Sequence, residues 1–265
     1  MKRLVSLVVV AAVVTAAAAL AGASAPPTKK PGTLIVGFDL PAPGFWNGAA
    51  TGTTIRNPSG FEYDLSQALA KKMGIGTVEY LRSPFGGLFS PGPKKFDLAF
   101  EEVTITAQRA KVVSFSAPYF DANQGVLIRK GLTPPKKIAD LKSIKLCAQA
   151  GTTGLDYIQH TLRPKQKPGI YSASNTSVFD ALEIRRCDAV VLDVPIVYSQ
   201  KQKKPGAYGP VAGQIVTHEN YGAVMQKGSK LKADVDKALK ALKANGTIDR
   251  LQKKWLAFTR VPILK

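Results

Sequence analysis

Residues 96–120 read FDLAFEEVTITAQRAKVVSFSAPYF, and the change of character after Phe100 decides how the rest of the chain is read. Positions 96–100 have the apolar content of a buried strand, which stops at two acids followed by threonines and Arg109. A strand ending in a polar cluster sets those side chains at the carboxyl edge of a sheet, where open α/β sheets hold their ligands. Glu101, Glu102, Thr104 and Arg109 are therefore site candidates. Arg109 has two readings: a rigid fork that grips a carboxylate through two parallel bonds, or a helix-start arginine in a surface ion pair.

Outward from this stretch, strand-like runs alternate with helical patterns. Upstream lies an apolar run at 34–38; Phe61, Leu65, Leu69 and Met73 then share one helical face closed by Gly74, and a strand is predicted at 77–81. Downstream, strands are predicted at 112–115, 125–129, 144–148, 189–192 and 221–225. Helical patterns cover 153–162, 178–186 and the series Leu231, Val235, Leu239, Leu242. Alternation of the two periodicities indicates α/β architecture. A break rich in proline and lysine at 130–137 divides two such stretches, and a second at 226–230 precedes the last helices. If those helices fold back on the first half, two α/β lobes result, joined by two crossover segments with a hinge between them. The expected boundaries are a tail at 24–33, lobe 1 from 34–126 plus 223–265, and lobe 2 from 127–222.

Met1, Lys2 and Arg3 precede an apolar run at 4–20 and small residues up to Ala25, the order of a secretory signal peptide. Cleavage is expected after Ala23, because a cut after Ala25 would leave Pro26 next to it. Removing 1–23 takes two positive charges and no acid from the formal +19, leaving +17. Such an excess favours anionic surfaces. The lysines are scattered in short pairs without aromatic interleaving or zinc spacing, so a solvated basic surface and no nucleic-acid partner are expected. No later run is long and apolar enough to span a bilayer. His160 and His218 belong to no nucleophile motif or metal spacing, and neither metal nor cofactor is expected. Cys147, just before Gln149 on one predicted strand, and Cys187, just before Asp188 on another expected to neighbour it, are an even count in an oxidising compartment and are expected to form one disulfide. Two buried free thiols are the alternative.

The pieces GFEYDL (60–65), Phe96-Asp97, Thr104-Ile105-Thr106 with Arg109, FSAPY (115–119), QAGTT (149–153), DAVVLD (188–193) with Pro195, Tyr221-Gly222, and NGTID (245–249) with Lys254-Trp255 stand in a specific order and spacing. In this the chain resembles the extracellular solute-binding proteins of family 3, the polar amino-acid-binding components of ATP-driven (ABC) importers, over nearly all of its mature length. The resemblance implies a two-lobed periplasmic-binding-protein-like (type II) fold and a secreted monomer in the periplasm or on the outer face of the cell envelope. It implies capture of a small amino-acid-like zwitterion between the lobes, delivery to an ABC permease, and no catalysis. Residue by residue, it implies that Arg109 holds the ligand carboxylate, Thr104 bonds the ammonium, and Asp193 pairs with that ammonium from the other lobe. Thr152 and Thr153, where a strand gives way to a helix, bring free amides to the same carboxylate. Helix capping is the competing role for these threonines and for Asp193 ahead of Pro195.

Two departures bear on the ligand. Family members carry an aromatic three residues after the aspartate that ends the first strand, where it stacks on the ligand; after Asp39 that position is Ala42. Phe45 or Trp46 either replaces the stacking or plugs the core. Glu101 and Glu102 stand where small residues are usual. With Asp39 they read as counter-charge for a cationic ligand side chain such as that of arginine or lysine, because adjacent acids at a strand end need a cationic partner. Strand alternation sends one of the two into the cleft and the other away. Two readings compete: the glutamates pair with the protein's own lysines or with Arg109, which would defeat the clamp, or one is the general acid of an enzyme on the same scaffold, a cyclohexadienyl or arogenate dehydratase.

Overall fold

The computed structural model describes residues 25–172, 175–256 and 261–265; the expected signal peptide at 1–23 lies outside the described residues. Along the chain run β1 (Thr33–Phe38), a hairpin of β2 (Asn47–Thr51) and β3 (Thr54–Ser59), α1 (Phe61–Lys72), β4 (Thr77–Arg82), β5 (Leu98–Ala99) and β6 (Val113–Phe115). Next come β7 (Phe120–Arg129), β8 (Leu146–Gln149), α2 (Thr153–Asp156, continued by a π-type stretch Tyr157–Leu162), β9 (Gly169–Tyr171), α3 (Asn175–Glu183), β10 (Ala189–Asp193), α4 (Val194–Lys203) and β11 (Tyr208–Tyr221). The chain then forms β12 (Val224–Gln226), α5 (Lys232–Ala244) and α6 (Thr247–Trp255). Two five-stranded sheets result, ordered β4-β1-β5-β12-β6 and β11-β7-β10-β8-β9, one in each lobe.

Each sheet is covered on both faces, which explains why its central strands are apolar throughout. Leu34, Val36 and Phe38 of β1 pack with Phe61, Leu65 and Leu69 of α1 and Val235 and Leu239 of α5, while Ile35 turns to the opposite face. In the second sheet Val126, Ile128, Ala148 and Val191 meet Leu155 and Ile158 on the α2 side; Leu127, Val190 and Leu192 meet Phe179, Leu182 and Val197 on the α3 and α4 side. Cys147 and Cys187 form the expected disulfide within that latter core, with Cα atoms 5.9 Å apart and a sequence separation of 40. A closed loop of this size stabilises by about 2–4 kcal/mol. The Lys254 and Trp255 piece docks α6 on α1, since both Lys254 Nζ (2.8 Å) and the Trp255 indole N–H (2.6 Å) donate to Asp64 Oδ2.

Two expected boundaries move. A junction after residue 126 would cut β7, which pairs with β10 and β11 and belongs wholly to the second sheet. The chain instead leaves the first sheet between β6 and β7, where Ser116-Ala117-Pro118 interrupts the ladder. Residues 261–265 likewise do not stay with the first lobe. Gln214 N–H donates to the Pro262 carbonyl (2.8 Å), Leu264 N–H to the Gln214 carbonyl (2.9 Å) and Ile138 N–H to the Lys265 carbonyl (2.9 Å). Leu264 is buried in the second lobe's core over Gly213, where a Cβ would lie 2.6 Å from Leu264 Cγ. The segment 261–265, which follows α6 in sequence, therefore docks on the second lobe. Among the described residues no helix is long and apolar enough to cross a membrane.

Candidate functional site

β5 ends at Ala99, and the Phe100 N–H still donates to the Gly37 carbonyl at 3.1 Å. Two residues on, Glu102 takes a left-handed backbone, φ 50°, which costs a non-glycine residue about 1–2 kcal/mol. Its N–H is held by Glu62 Oε1 at 2.9 Å. This turn interrupts the strand alternation, and Glu101 and Glu102 both line the space between the lobes.

That space is a cavity of about 320 Å³, lined by Asp39, Ala42, Arg82, Phe85, Glu101, Glu102, Thr104, Arg109, Thr152, Thr153 and Asp193, among others. All the sequence-derived candidates meet there except Phe45 and Trp46. Those two are core residues, 0 % and 1 % exposed. The Phe45 and Trp46 amides both bond back to the Ala42 carbonyl, at 3.0 and 2.7 Å. The loop so tightened turns both rings inward: Phe45 packs edge-on against Phe61 and Phe120, and the Trp46 indole N–H donates to Glu62 Oε2 at 2.8 Å and the Phe100 carbonyl at 3.0 Å. No ring takes the place left by Ala42 from this loop. Phe85, from a glycine- and proline-rich loop after β4, lines the cavity instead, and the Phe85 and Phe89 rings have centroids 5.6 and 4.9 Å from the Arg109 guanidinium carbon.

Arg109 opens a short 3-10 turn, its N–H donating to Thr106 Oγ1 at 3.1 Å. Its guanidinium donates to the Thr104 carbonyl (2.8 Å) and, across the cleft, to the Gly151 carbonyl (2.9 Å). Among the described residues it forms no ion pair, so neither glutamate neutralises it. Burial draws its pKa down, opposed by the charges of Asp193 and Glu219.

The carboxylates are unequally provided for. Asp39 accepts from the Leu40 amide (2.8 Å), the Phe85 amide (3.2 Å) and Arg82 Nε (3.4 Å). Glu62, beneath the cavity, has its pKa pushed up to about 7 by burial, opposed by bonds from Tyr119, the Glu102 amide and Trp46. Asp193 occupies the N-cap position of α4 without capping it. Its Oδ1 accepts from Gln124 Nε2 at 2.6 Å and its Oδ2 from the Tyr221 hydroxyl. Burial, then the charge of Glu219, raise its pKa to about 7. Glu101 has both oxygens buried with no partner. Burial and then Asp39, Glu62 and Glu102 raise it well above the carboxylate range, and burial and then Glu62 do the same for Glu102. Thr152 does cap α2, its hydroxyl accepting from the Leu155 amide at 3.3 Å, and lines the cavity as well.

Like Arg82, Phe85 and Gln124, Glu219 on β11 was suggested by no motif; it accepts from Thr104, Thr153 and Gln124. The run Thr217-His218-Glu219-Asn220 carries no apolar periodicity and reads as a solvated loop.

The chain is similar to known proteins. Residues 34–258 match the family model of the bacterial extracellular solute-binding proteins, family 3. Over 230 residues the chain is 29% identical to the L-cystine-binding protein TcyJ of Escherichia coli (strain K12), covering 86% of this chain and 84% of that protein. It is similar to an ancestral arginine-binding protein bound to arginine, with a TM-score of 0.73 and 32% identity over 84% of this chain and 98% of the other. It is also similar to the ancestral amino acid-binding protein AncCDT-1, a precursor of cyclohexadienyl dehydratase, with a TM-score of 0.69 and 33% identity over 85% and 95% of the two chains.

Proposed function

Because the chain belongs to the bacterial extracellular solute-binding proteins, family 3, we propose that it is exported, captures an amino acid with a basic side chain between its lobes, and delivers it to an ABC permease. Arg109, free of any carboxylate, takes the ligand carboxylate together with Thr152 and Thr153. Asp193 and Thr104 take the ammonium. A zwitterion brought out of water keeps both charges, and each left unpaired in a closed cleft costs about 3–5 kcal/mol. One fixed cation and one fixed anion are the minimum, and the cavity holds both.

The observation that carries the basic side chain is Glu101, a cavity-lining carboxyl 6 % exposed whose two oxygens have no partner. A buried carboxyl is stable only when a donor satisfies it. Glu102 beside it and Asp39 at the end of β1 leave the far end of the cavity rich in acceptors. Calorimetric titration with lysine, arginine and a neutral amino acid tests the reading. The basic ligands are expected to bind, Arg109→Ala to abolish binding, and Glu101→Gln to narrow the preference for basic over neutral ligands. No heat from lysine or arginine at millimolar concentration would sink it.

The raised pKa of Glu101 and Glu102 favours one other reading, a carboxyl kept protonated at neutral pH to act as a general acid. It would act on prephenate or arogenate as a dehydratase. Formation of the aromatic product, lost in Glu102→Gln, would establish it, and a silent assay leaves binding.

A further inference from the structure

Glu219 lies outside the ligand cavity, on the strand that leads from the second lobe back to the first. Its Oε2 accepts from Thr104 Oγ1 at 2.7 Å and from Thr153 Oγ1 at 2.6 Å. Its Oε1 accepts from Gln124 Nε2 at 3.0 Å, and the same amide donates to Asp193 Oδ1 at 2.6 Å. Thr104 follows β5 in the first lobe, and Thr153 opens α2 in the second. One carboxylate oxygen thus joins the two lobes through the hydroxyls of two residues that both line the cavity. Thr104, Thr153 and Glu219 also line a groove of about 580 Å³, so the two threonines border both that groove and the ligand space.

Two consequences follow from the chemistry of these groups. A carboxylate anchored on the crossing strand can take both hydroxyls only while the lobes are together, so the paired bonds are a feature of the closed form. A hydroxyl has one hydrogen. Once it is given to Glu219, Thr104 and Thr153 keep only lone pairs, one of which on Thr153 receives Gln124 Nε2 at 3.3 Å, and can receive a ligand N–H but not donate to a ligand oxygen.

We propose that Glu219 is a positioning residue that latches the closed cleft and sets Thr104 and Thr153 as acceptors. The second part rests on the reading that an ammonium is bound there. In ligand-free protein, spin labels on cysteines introduced by Lys71→Cys and Lys203→Cys, on α1 and α4, report the distance between lobes. Glu219→Ala is expected to shift that distribution to longer distances. Thr153→Val, which keeps the shape and loses the hydroxyl, is expected to do the same, and Thr153→Ser, which keeps the hydroxyl, is not. In stopped-flow measurements the dissociation of lysine or arginine from Glu219→Ala is expected to be roughly tenfold faster, as for loss of a charge-assisted hydrogen bond. An unchanged distance distribution in both Glu219→Ala and Thr153→Val would overturn the latch. If wild-type protein binds neither amino acid, the functional reading fails, while the ligand-free distances still decide the latch.

Discussion

Asp193 and Glu62 make the protein's behaviour depend on pH, because both carboxyls are held near a pKa of about 7. A carboxyl whose folded pKa lies above its unfolded value binds more protons in the native state. Its contribution to stability is whole in acid and is lost as pH rises from the ordinary carboxylate range through about 7. Glu101 and Glu102, raised further, act in the same direction. In the proposed function binding runs the other way, since the ligand ammonium pairs with the ionised form of Asp193. The ligand-free protein is therefore expected to have a higher Tm at about pH 5.5 than at about pH 8, while affinity for lysine or arginine rises over that window with release of protons. Calorimetry in buffers of different ionisation enthalpy measures both the affinity and the proton count. Asp193→Asn should weaken binding and flatten the slope, and an affinity that does not change with pH would contradict the assignment of Asp193.

Between residues and lobes, the join of β3 to α1 controls the floor of the cavity. Gly60 has φ 125°, and a Cβ there would lie 2.2 Å from the Phe45 carbonyl oxygen. Gly60→Ala is expected to destabilise by more than about 2 kcal/mol, because neither the backbone angle nor the space suits a side chain. It should also disturb Glu62, two residues on, and through it the Glu102 turn. Urea denaturation reads the first effect, and an unchanged midpoint would refute it.

Elements with a strong period were legible in the sequence, α1 and β10 among them, because one face or the whole strand is buried. The β2–β3 hairpin was not, since Ile55 alone is buried along its length. Nor was β11, whose final stretch runs through the lobe crossing with no face consistently covered. The same division holds for the site. Thr104, Arg109 and Asp193 stand at strand ends where their position announces a role. Phe45 and Trp46 were directed inward by backbone bonds to Ala42, Glu102 was turned by a bond to Glu62, and Glu219 acts only through partners distant in sequence; no local pattern encodes these.

For the whole molecule, the docking of residues 261–265 on the second lobe makes stability depend on a segment that follows the first lobe's helices. Leu264 is 4 % exposed and Ile263 58 % exposed. Leu264→Ala is expected to cost about 2–4 kcal/mol as a core truncation, and Ile263→Ala to stay within about 0.5 kcal/mol as a surface change. Denaturant titration of the two variants separates them, and equal effects would show that the segment does not contribute to the core.

That docking also orders events during synthesis. The edge of the second sheet at Gln214 receives its partner only after α5 and α6 have been made and the chain has returned from the first lobe. Until then the newly made protein carries an unpaired strand edge and a core lacking Leu264. The piece that completes one lobe's core is thus withheld until the helices of the other have emerged.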